Sequence, residues 1–330
     1  MAKPDQAPLA ELERRLINRY QGGFPLCERP FDALAEALDS DSNSLLQALK
    51  DLLEQGWLSR FGPLFNAERL GGGLSLAALA VPESDYAQVA ERLAQMPEVA
   101  HNYRREHELN MWFVLATASP EGIDSACRQI EQATGLEVFN FPKQREFYLG
   151  LWLELDQQGG CQTRPIPSPQ LPGQVLDGLD QAIVSATQAG LPLLAEPYRA
   201  VAEQLDCTSA ELLQRLARML ETGVIRRIGL VPNHYKLGLR ANGMSVWNIA
   251  DEQLEQVGQA MGALDYVSHC YSRPRRPPRW PYNLFAMVHG QNREQVQTKV
   301  AKMAQRFASQ SQGHEVLFSS QVLKKTGMRL

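Results

Sequence analysis

The sequence predicts an α+β fold made of two tandem copies of one unit, a winged helix-turn-helix followed by a ferredoxin-like βαββαβ domain. Three observations predict it. Residues 23–62 align without a gap with residues 190–229, and close to half of the aligned pairs are identical, which chance does not produce over such a stretch. Within each aligned stretch, apolar residues recur at helical spacing. After each stretch, the pattern runs strand, helix, strand, strand, helix, strand.

Each helix-turn-helix reads as three helices. In the first copy an apolar-periodic segment covers residues 9–20, a second follows Pro30, and a third opens at Ser42. Ser42 and Ser209 are the expected N-caps, and Leu45, Leu46, Leu49, Leu52 and Leu53 match Leu212, Leu213, Leu216, Met219 and Leu220 as buried stripes. Gly56 and Gly223 end these helices, and a short hairpin or wing should follow. Strands are then expected at 74–81, 98–105, 110–116 and 136–141, with helices at 83–95 and 120–134. The second copy repeats them at 243–249, 265–273, 282–289 and 315–323, with helices at 251–261 and 291–307. Residues 157–174, rich in Pro, Gly and Gln, read as a linker. The expected organisation is therefore a helix-turn-helix at 1–70, an αβ domain at 71–156, the linker, a second helix-turn-helix at 175–238 and a second αβ domain at 239–330.

Composition excludes several classes. No apolar run is long enough to span a bilayer, and the first residues lack the apolar core of a secretory signal, so the protein is expected in the cytoplasm with no membrane partner. The cysteines Cys27, Cys127, Cys161, Cys207 and Cys270 are odd in number and show no metal or haem-attachment spacing. A net charge of -4 argues against a general nucleic-acid binder. The third helices agree: residues 41–54 carry Lys50 against Asp41, Asp51 and Glu54, and residues 208–221 balance Arg215 and Arg218 against Glu211 and Glu221. DNA binding is therefore not expected, with Arg215 and Arg218 the only candidates for it. Phosphate-cradling glycine loops, G-x-S-x-G and H-E-x-x-H are absent from the sequence.

What carries chemistry is a repeated His-x-Tyr-x-Arg pattern. With a one-residue slip of the repeat, His101, Tyr103 and Arg105 fall opposite His269, Tyr271 and Arg273. Residues two apart on a strand share a face, so each triplet presents an acid, a hydroxyl and an anion clamp on one side of its sheet. Arg104, His107 and Asn110 lie beside the first triplet. Beside the second lies an insertion, residues 274–281, followed by Asn283, which aligns with Asn110. Arg273, Arg275, Arg276 and Arg279 crowd into seven residues of an acidic protein, next to Trp280. Such a cluster is either a solvated loop or the mouth of a site for a ligand with several carboxylates or phosphates, each contact contributing roughly 1.5–3 kcal/mol. Trp112, Trp280, Tyr282 and Phe285 are candidates to flank a flat ring system.

The order of elements resembles the Lrp/AsnC regulators and their ligand-binding domains, over nearly the whole chain and twice. The strings VAHNYRREHELNMWF from Val99 and VSHCYSRPRRPPRWPYNLFAMVHG from Val267 are similar to the signatures of the siroheme decarboxylases, and the pair resembles the fused D and L form of heme d1 biosynthesis. That resemblance implies removal of CO2 from the C12 and C18 acetates of siroheme, giving 12,18-didecarboxysiroheme, with no cofactor beyond the substrate's iron. It implies His101 and His269 as proton donors, Tyr103 and Tyr271 as their supports, and Arg104, Arg105 and Arg273 as carboxylate clamps. His107 or His289 is expected to approach the iron. Partners implied are the substrate, self-association and related decarboxylase subunits. A tetrapyrrole-sensing regulator and a tetrapyrrole carrier are the alternative readings, and whether one pocket or two work stays open at this point.

Overall fold

The computed structural model describes residues 9–166 and 171–325. In chain order the elements are α1 (Glu11–Tyr20), α2 (Pro30–Leu38), α3 (Ser42–Glu54), β1 (Leu58–Phe65), β2 (Gly73–Leu79), α4 (Tyr86–Gln95), β3 (Val99–Arg105), β4 (Met111–Thr117), α5 (Gly122–Thr134), β5 (Phe139–Pro142), β6 (Arg145–Leu149), β7 (Trp152–Leu155) and β8 (Cys161–Arg164). The second half supplies α6 (Gly178–Thr187), α7 (Pro197–Gln204), α8 (Ser209–Glu221), β9 (Ile225–Pro232), β10 (Ala241–Ile249), α9 (Leu254–Gly262), β11 (Val267–Ser272), β12 (Leu284–Gly290), α10 (Arg293–Arg306) and β13 (Ser311–Lys325). Both helix-turn-helix segments gather into one compact unit and both αβ segments into another.

In the helical unit, the third helices begin one residue earlier than expected in their capping. Asp41 and Thr208, rather than Ser42 and Ser209, accept from the backbone N–H groups of Ser44 and Glu211. The wing is also different from a local hairpin. Strand β1 pairs antiparallel with β9 of the other copy, with Gly62 opposite Gly229. Each wing then holds the turn of the other half: Leu191 N donates to Phe61 O at 2.9 Å, and Phe24 N donates to Ile228 O at 3.1 Å. Arg60 and Arg227 repeat the exchange by donating to Gln188 O and Gln21 O. These contacts need bare backbone: a Cβ on Gly229 would lie 2.3 Å from Tyr20 O, and one on Gly62 2.8 Å from Leu191 N. The two arginines of α8 are held by acidic partners. Arg215 pairs with Asp177 at 2.8 Å and with the buried Asp180 at 2.9 Å, and Arg218 reaches Asp180 at 2.7 Å.

In the αβ unit, each copy has the strand order of a ferredoxin-like sandwich, β5-β2-β4-β3 and β13-β10-β12-β11. The two are joined in one nine-stranded sheet because the fourth strand of each copy is long enough to serve both. The first part of β13 pairs with β10 of its own copy, and its last residues, Ser319 onward, pair with β3 of the other. Its counterpart is split at Pro142, which has no N–H for a ladder: β5 pairs with β2, and β6, a strand not expected from the sequence, pairs with β11. Since β5 and β6 are consecutive and separated by Lys143 and Gln144 alone, the outer strands of the sheet are brought within the reach of two residues. Part of the expected linker is ordered as β8, which pairs with β7; residues 167–170 of that linker lie outside the described residues.

The helices pack on one face of each half-sheet, over Met111 and Phe113 in the first and over Cys270 and Ala286 in the second. The opposite faces share a single core in which Trp112 and Phe141 of the first copy meet Val246, Trp280, Phe285 and Leu317 of the second. Burial of each Phe or Leu there contributes about 1.5–3 kcal/mol. Because backbone cannot recede as a side-chain tip can, Gly229→Ala is expected to destabilise the protein by about 1–3 kcal/mol or more and lower its melting temperature. Gly178→Ala, where a Cβ meets open space, should leave melting nearly unchanged. Equal melting curves for the two variants would contradict this account.

Candidate functional site

Strand alternation brings both triplets to the face that the helices do not cover. His101 stands opposite Val114 and Tyr103 opposite Trp112 on β4, while His269 stands opposite Met287 and Tyr271 opposite Phe285 on β12. Ring centroids are 6.3 Å apart for His101 and Tyr103, and 6.1 Å for His269 and Tyr271. The expected arginines complete each row: the Arg105 guanidinium lies 5.9 Å from the Tyr103 ring, and that of Arg273 lies 5.2 Å from the Tyr271 ring. Arg105 also donates to Leu317 O at 2.6 Å, and Arg273 to Phe141 O. The rows occupy non-neighbouring strands, with β13, β10 and β12 between β3 and β11.

Several expected ligand contacts belong elsewhere. Arg104 lies on the other face of β3, as alternation requires, bonded to Glu83 at 2.6 Å and 4.3 Å from the Tyr86 ring. Burial raises the Tyr86 phenol to about 12, and the bond to Glu83 raises the Arg104 guanidinium further. Asn110 and Asn283 are equivalent latches. Asn110 accepts from Val81 N and donates to Val81 O, and Asn283 does the same with Ile249 while also reaching Asp251 at 3.1 Å. Each extends its sheet across a strand end.

The insertion is a strap rather than an open arginine mouth. Arg275 is consumed by Asp251, Asn248, Ile249 O and Pro281 O, and its hydrogen bond holds the Asp251 carboxyl below the usual carboxylate range. Arg276 donates twice to Asn140 O, and Arg279 lies 3.6 Å from Glu108. Trp280 is fully buried, packed on Trp112, Phe141, Tyr282 and Phe285, so it fills the shared core instead of flanking an open site. Of the expected cluster, Arg273 alone stands with a His-Tyr pair.

Both histidines expected to approach the iron have protein groups near their two ring nitrogens. His107 Nδ1 accepts from Leu109 N at 2.9 Å, which leaves Nε2 to carry the proton 3.5 Å from Glu315. His289 is buried, with Nε2 on Ser268 Oγ and Nδ1 on Asn242 Oδ1. Sequence reasoning passed over Ser268, Asn242, Glu315 and Lys143. Glu315 accepts from Tyr282 at 2.5 Å, and burial followed by that bond pushes the Tyr282 phenol up. Lys143 sits 5.6 Å from the Tyr271 ring. No spacing signals these residues, because all but Ser268 reach the site from other strands or a connection. Cys270 faces the helices and burial pushes its thiol up, so it packs as an apolar group. Among the described residues no cluster of His, Cys, Asp or Glu is placed to hold a metal ion, and no helix is long and apolar enough to cross a membrane.

Two fused sandwiches with acid, hydroxyl and guanidinium rows on their shared face define a duplicated AsnC-like protein carrying acid-base groups. The AsnC-like ligand binding domain matches residues 70–148 and 236–324, and the siroheme decarboxylase NirDL-like HTH domain matches 13–58 and 180–226. The chain belongs to the siroheme decarboxylase family. It is 30% identical to the siroheme decarboxylase of Hydrogenobacter thermophilus, over 96% of this chain and 93% of that protein. It is 49% identical over 154 residues to the siroheme decarboxylase NirH subunit of Paracoccus pantotrophus, which covers 47% of this chain and 96% of that subunit. The crystal structure of the siroheme decarboxylase NirDL superposes with a TM-score of 0.71 at 28% identity, over 96% of this chain and 92% of that one, and its co-complex with an iron-uroporphyrin III analogue gives 0.70.

Asn283→Ala leaves the buried Ile249 N–H without its acceptor and should destabilise the fold by about 1–3 kcal/mol. Denaturant titration checks the loss, and siroheme affinity measured well below the melting transition should match that of the parent protein. Weakened binding with unchanged stability would return Asn283 to the ligand site.

Proposed function

We propose that this chain removes CO2 from the C12 and C18 acetates of siroheme, giving 12,18-didecarboxysiroheme for heme d1 biosynthesis, with His101 and His269 as proton donors. The observation that carries the reading is the repeated row of histidine, tyrosine and guanidinium on the face shared by the two sandwiches. The NirDL structure with an iron-uroporphyrin III analogue supports a flat, carboxylate-rimmed iron macrocycle as the ligand class. The reaction takes place in the cytoplasm and uses no cofactor beyond the iron of the substrate. Related decarboxylase subunits and further copies of the chain are the expected protein partners.

Decarboxylation breaks the bond between the acetate methylene carbon and its carboxylate. The electron pair stays on that carbon, delocalised into the macrocycle, and CO2 leaves. A proton must then reach the carbon to form the methyl group. An imidazolium suits the task because its ordinary titration lies near neutral pH, so it gives up the proton readily and regains it from water. Tyr103 and Tyr271, two residues along each strand, orient the acetate, and Arg105 and Arg273 hold neighbouring carboxylates. A DNA-binding regulator is the weaker reading, since both α8 arginines are held by Asp177 and Asp180.

Anaerobic incubation with siroheme followed by mass spectrometry tests this. Two successive losses of one CO2 mass are expected; unchanged mass with retained pigment would mark a carrier, and tightened binding to a promoter fragment a regulator. His101→Ala and His269→Ala should each slow CO2 release by about 10²- to 10⁴-fold while pigment binding survives. A monodecarboxylated species that accumulates in one variant assigns one acetate to each histidine, whereas slowing of both losses together assigns both to one pocket. Wild-type rates in both variants would remove the histidines from the reaction. Arg273→Ala should raise KM more than it lowers kcat, because a clamp on a spectator carboxylate holds ground state and transition state alike.

A further inference from the structure

His269 does not stand alone behind its strand. A register shift between Val267 and His269 in the β11–β12 ladder interrupts the alternation at Ser268. Ser268 Oγ lies 2.6 Å from His269 Nδ1 and 2.5 Å from His289 Nε2, and His289 Nδ1 lies 2.6 Å from Asn242 Oδ1. Asn242 and His289 face each other across β10 and β12, and Ser268 and His289 are 1% and 4% exposed, so water does not compete for these bonds. Lys299 on α10 donates to His289 O and steadies the strand that carries the ring.

The donor and acceptor inventory orders this chain. Asn242 Oδ1 is an acceptor, so His289 carries its proton on Nδ1. In a neutral His289 ring, Nε2 is then the lone pair, which accepts the Ser268 hydroxyl proton. The Ser268 oxygen in turn accepts from His269 Nδ1–H. His269 is thereby held as the Nδ1–H tautomer, with Nε2 the nitrogen that gains and gives up a proton. We propose that Asn242, His289 and Ser268 are positioning residues that fix the tautomer and ring orientation of His269 and support its imidazolium form. A base oriented by a hydrogen-bonded group behind it is the logic of hydrolytic triads, in which the orienting group stays in place while the histidine exchanges its proton.

The first half lacks the device. The ladders equate Ser268 with Ala100, His289 with Ala116 and Asn242 with Leu74, although the same register shift is present between Val99 and His101. None of the three replacements carries a side-chain hydrogen-bonding group. The two histidine rows are therefore inequivalent, and the second is the one built to hold a proton donor in a single tautomer.

This rests on the proposed decarboxylation with His269 as acid, and the test separates the two. On ligand-free protein, nitrogen-resolved NMR of labelled histidines should show His269 as the Nδ1–H tautomer, and in Ser268→Ala that preference should be lost. With siroheme, Ser268→Ala should lower kcat by about 10- to 100-fold at nearly constant KM, and Ser268→Thr, which keeps the hydroxyl, should restore most of it. His289→Phe should resemble Ser268→Ala, and melting curves identify any variant that fails to fold. An Nε2–H tautomer in the parent protein, a spectrum unchanged in Ser268→Ala, or equal rates in Ser268→Ala and the parent would each overturn the proposal. So would equal losses in folded Ala and Thr variants. A parent protein that leaves siroheme intact would overturn the decarboxylation reading, while the NMR result would still decide whether the hydrogen-bonded chain sets the tautomer.

Discussion

The exchange of fourth strands between the two αβ copies is the constraint on which the αβ unit depends. Each half-sheet covers one face with its own helices and is left with an apolar second face and an unpaired edge at its second strand. The last residues of β13 pair with β3, and β6 pairs with β11, so both edges are satisfied by the other copy. The same pairing turns the two bare faces toward one core, where Trp112, Phe141, Trp280 and Phe285 meet. Backbone hydrogen bonding and apolar burial thus demand the same arrangement, and a fused chain has no translational entropy to lose in reaching it.

That arrangement decides what the polar residues can do. On β3 and β11 every second residue faces the shared core side, so His101, Tyr103 and Arg105 are separated from Arg104, and His269, Tyr271 and Arg273 from Cys270 and Ser272. Arginines on the insertion have carbonyls and carboxylates of the protein itself within reach and are spent on them. Arg275 closes on Asp251, and Arg276 covers the Asn140 carbonyl at the β5 edge. Their density in the sequence reflects the polar groups that a strap over a sheet edge has to satisfy.

The halves have kept a common frame and diverged in chemistry. The wings show the frame at its most symmetric, with Gly62 against Gly229 and the paired contacts of Phe61 with Leu191 and Ile228 with Phe24. Divergence appears where Ala100 is replaced by Ser268, Ala116 by His289 and Leu74 by Asn242, and where the insertion sends Trp280 into the common core. In the helical unit the buried Asp180 is paired with both Arg215 and Arg218. A charge that is removed from water needs its partners close.

The sequence by itself determined the duplication, the helix-turn-helix pattern, the βαββαβ order and the triplets, because each of these is written in local periodicity or in a repeated string. It also determined that His, Tyr and the second-following Arg share a face, which follows from the two-residue period of a strand. What only the tertiary structure decided was which copy each element joins and which polar groups meet. The wings pair across copies, β6 extends the sheet, Asn110 and Asn283 are latches, His107 and His289 are engaged at both ring nitrogens, and Asn242 reaches His269 through two intermediaries. These contacts join residues far apart in the chain, and their energy depends on distances of a few ångströms set by strand register. Periodicity within a segment carries no information about the register between segments.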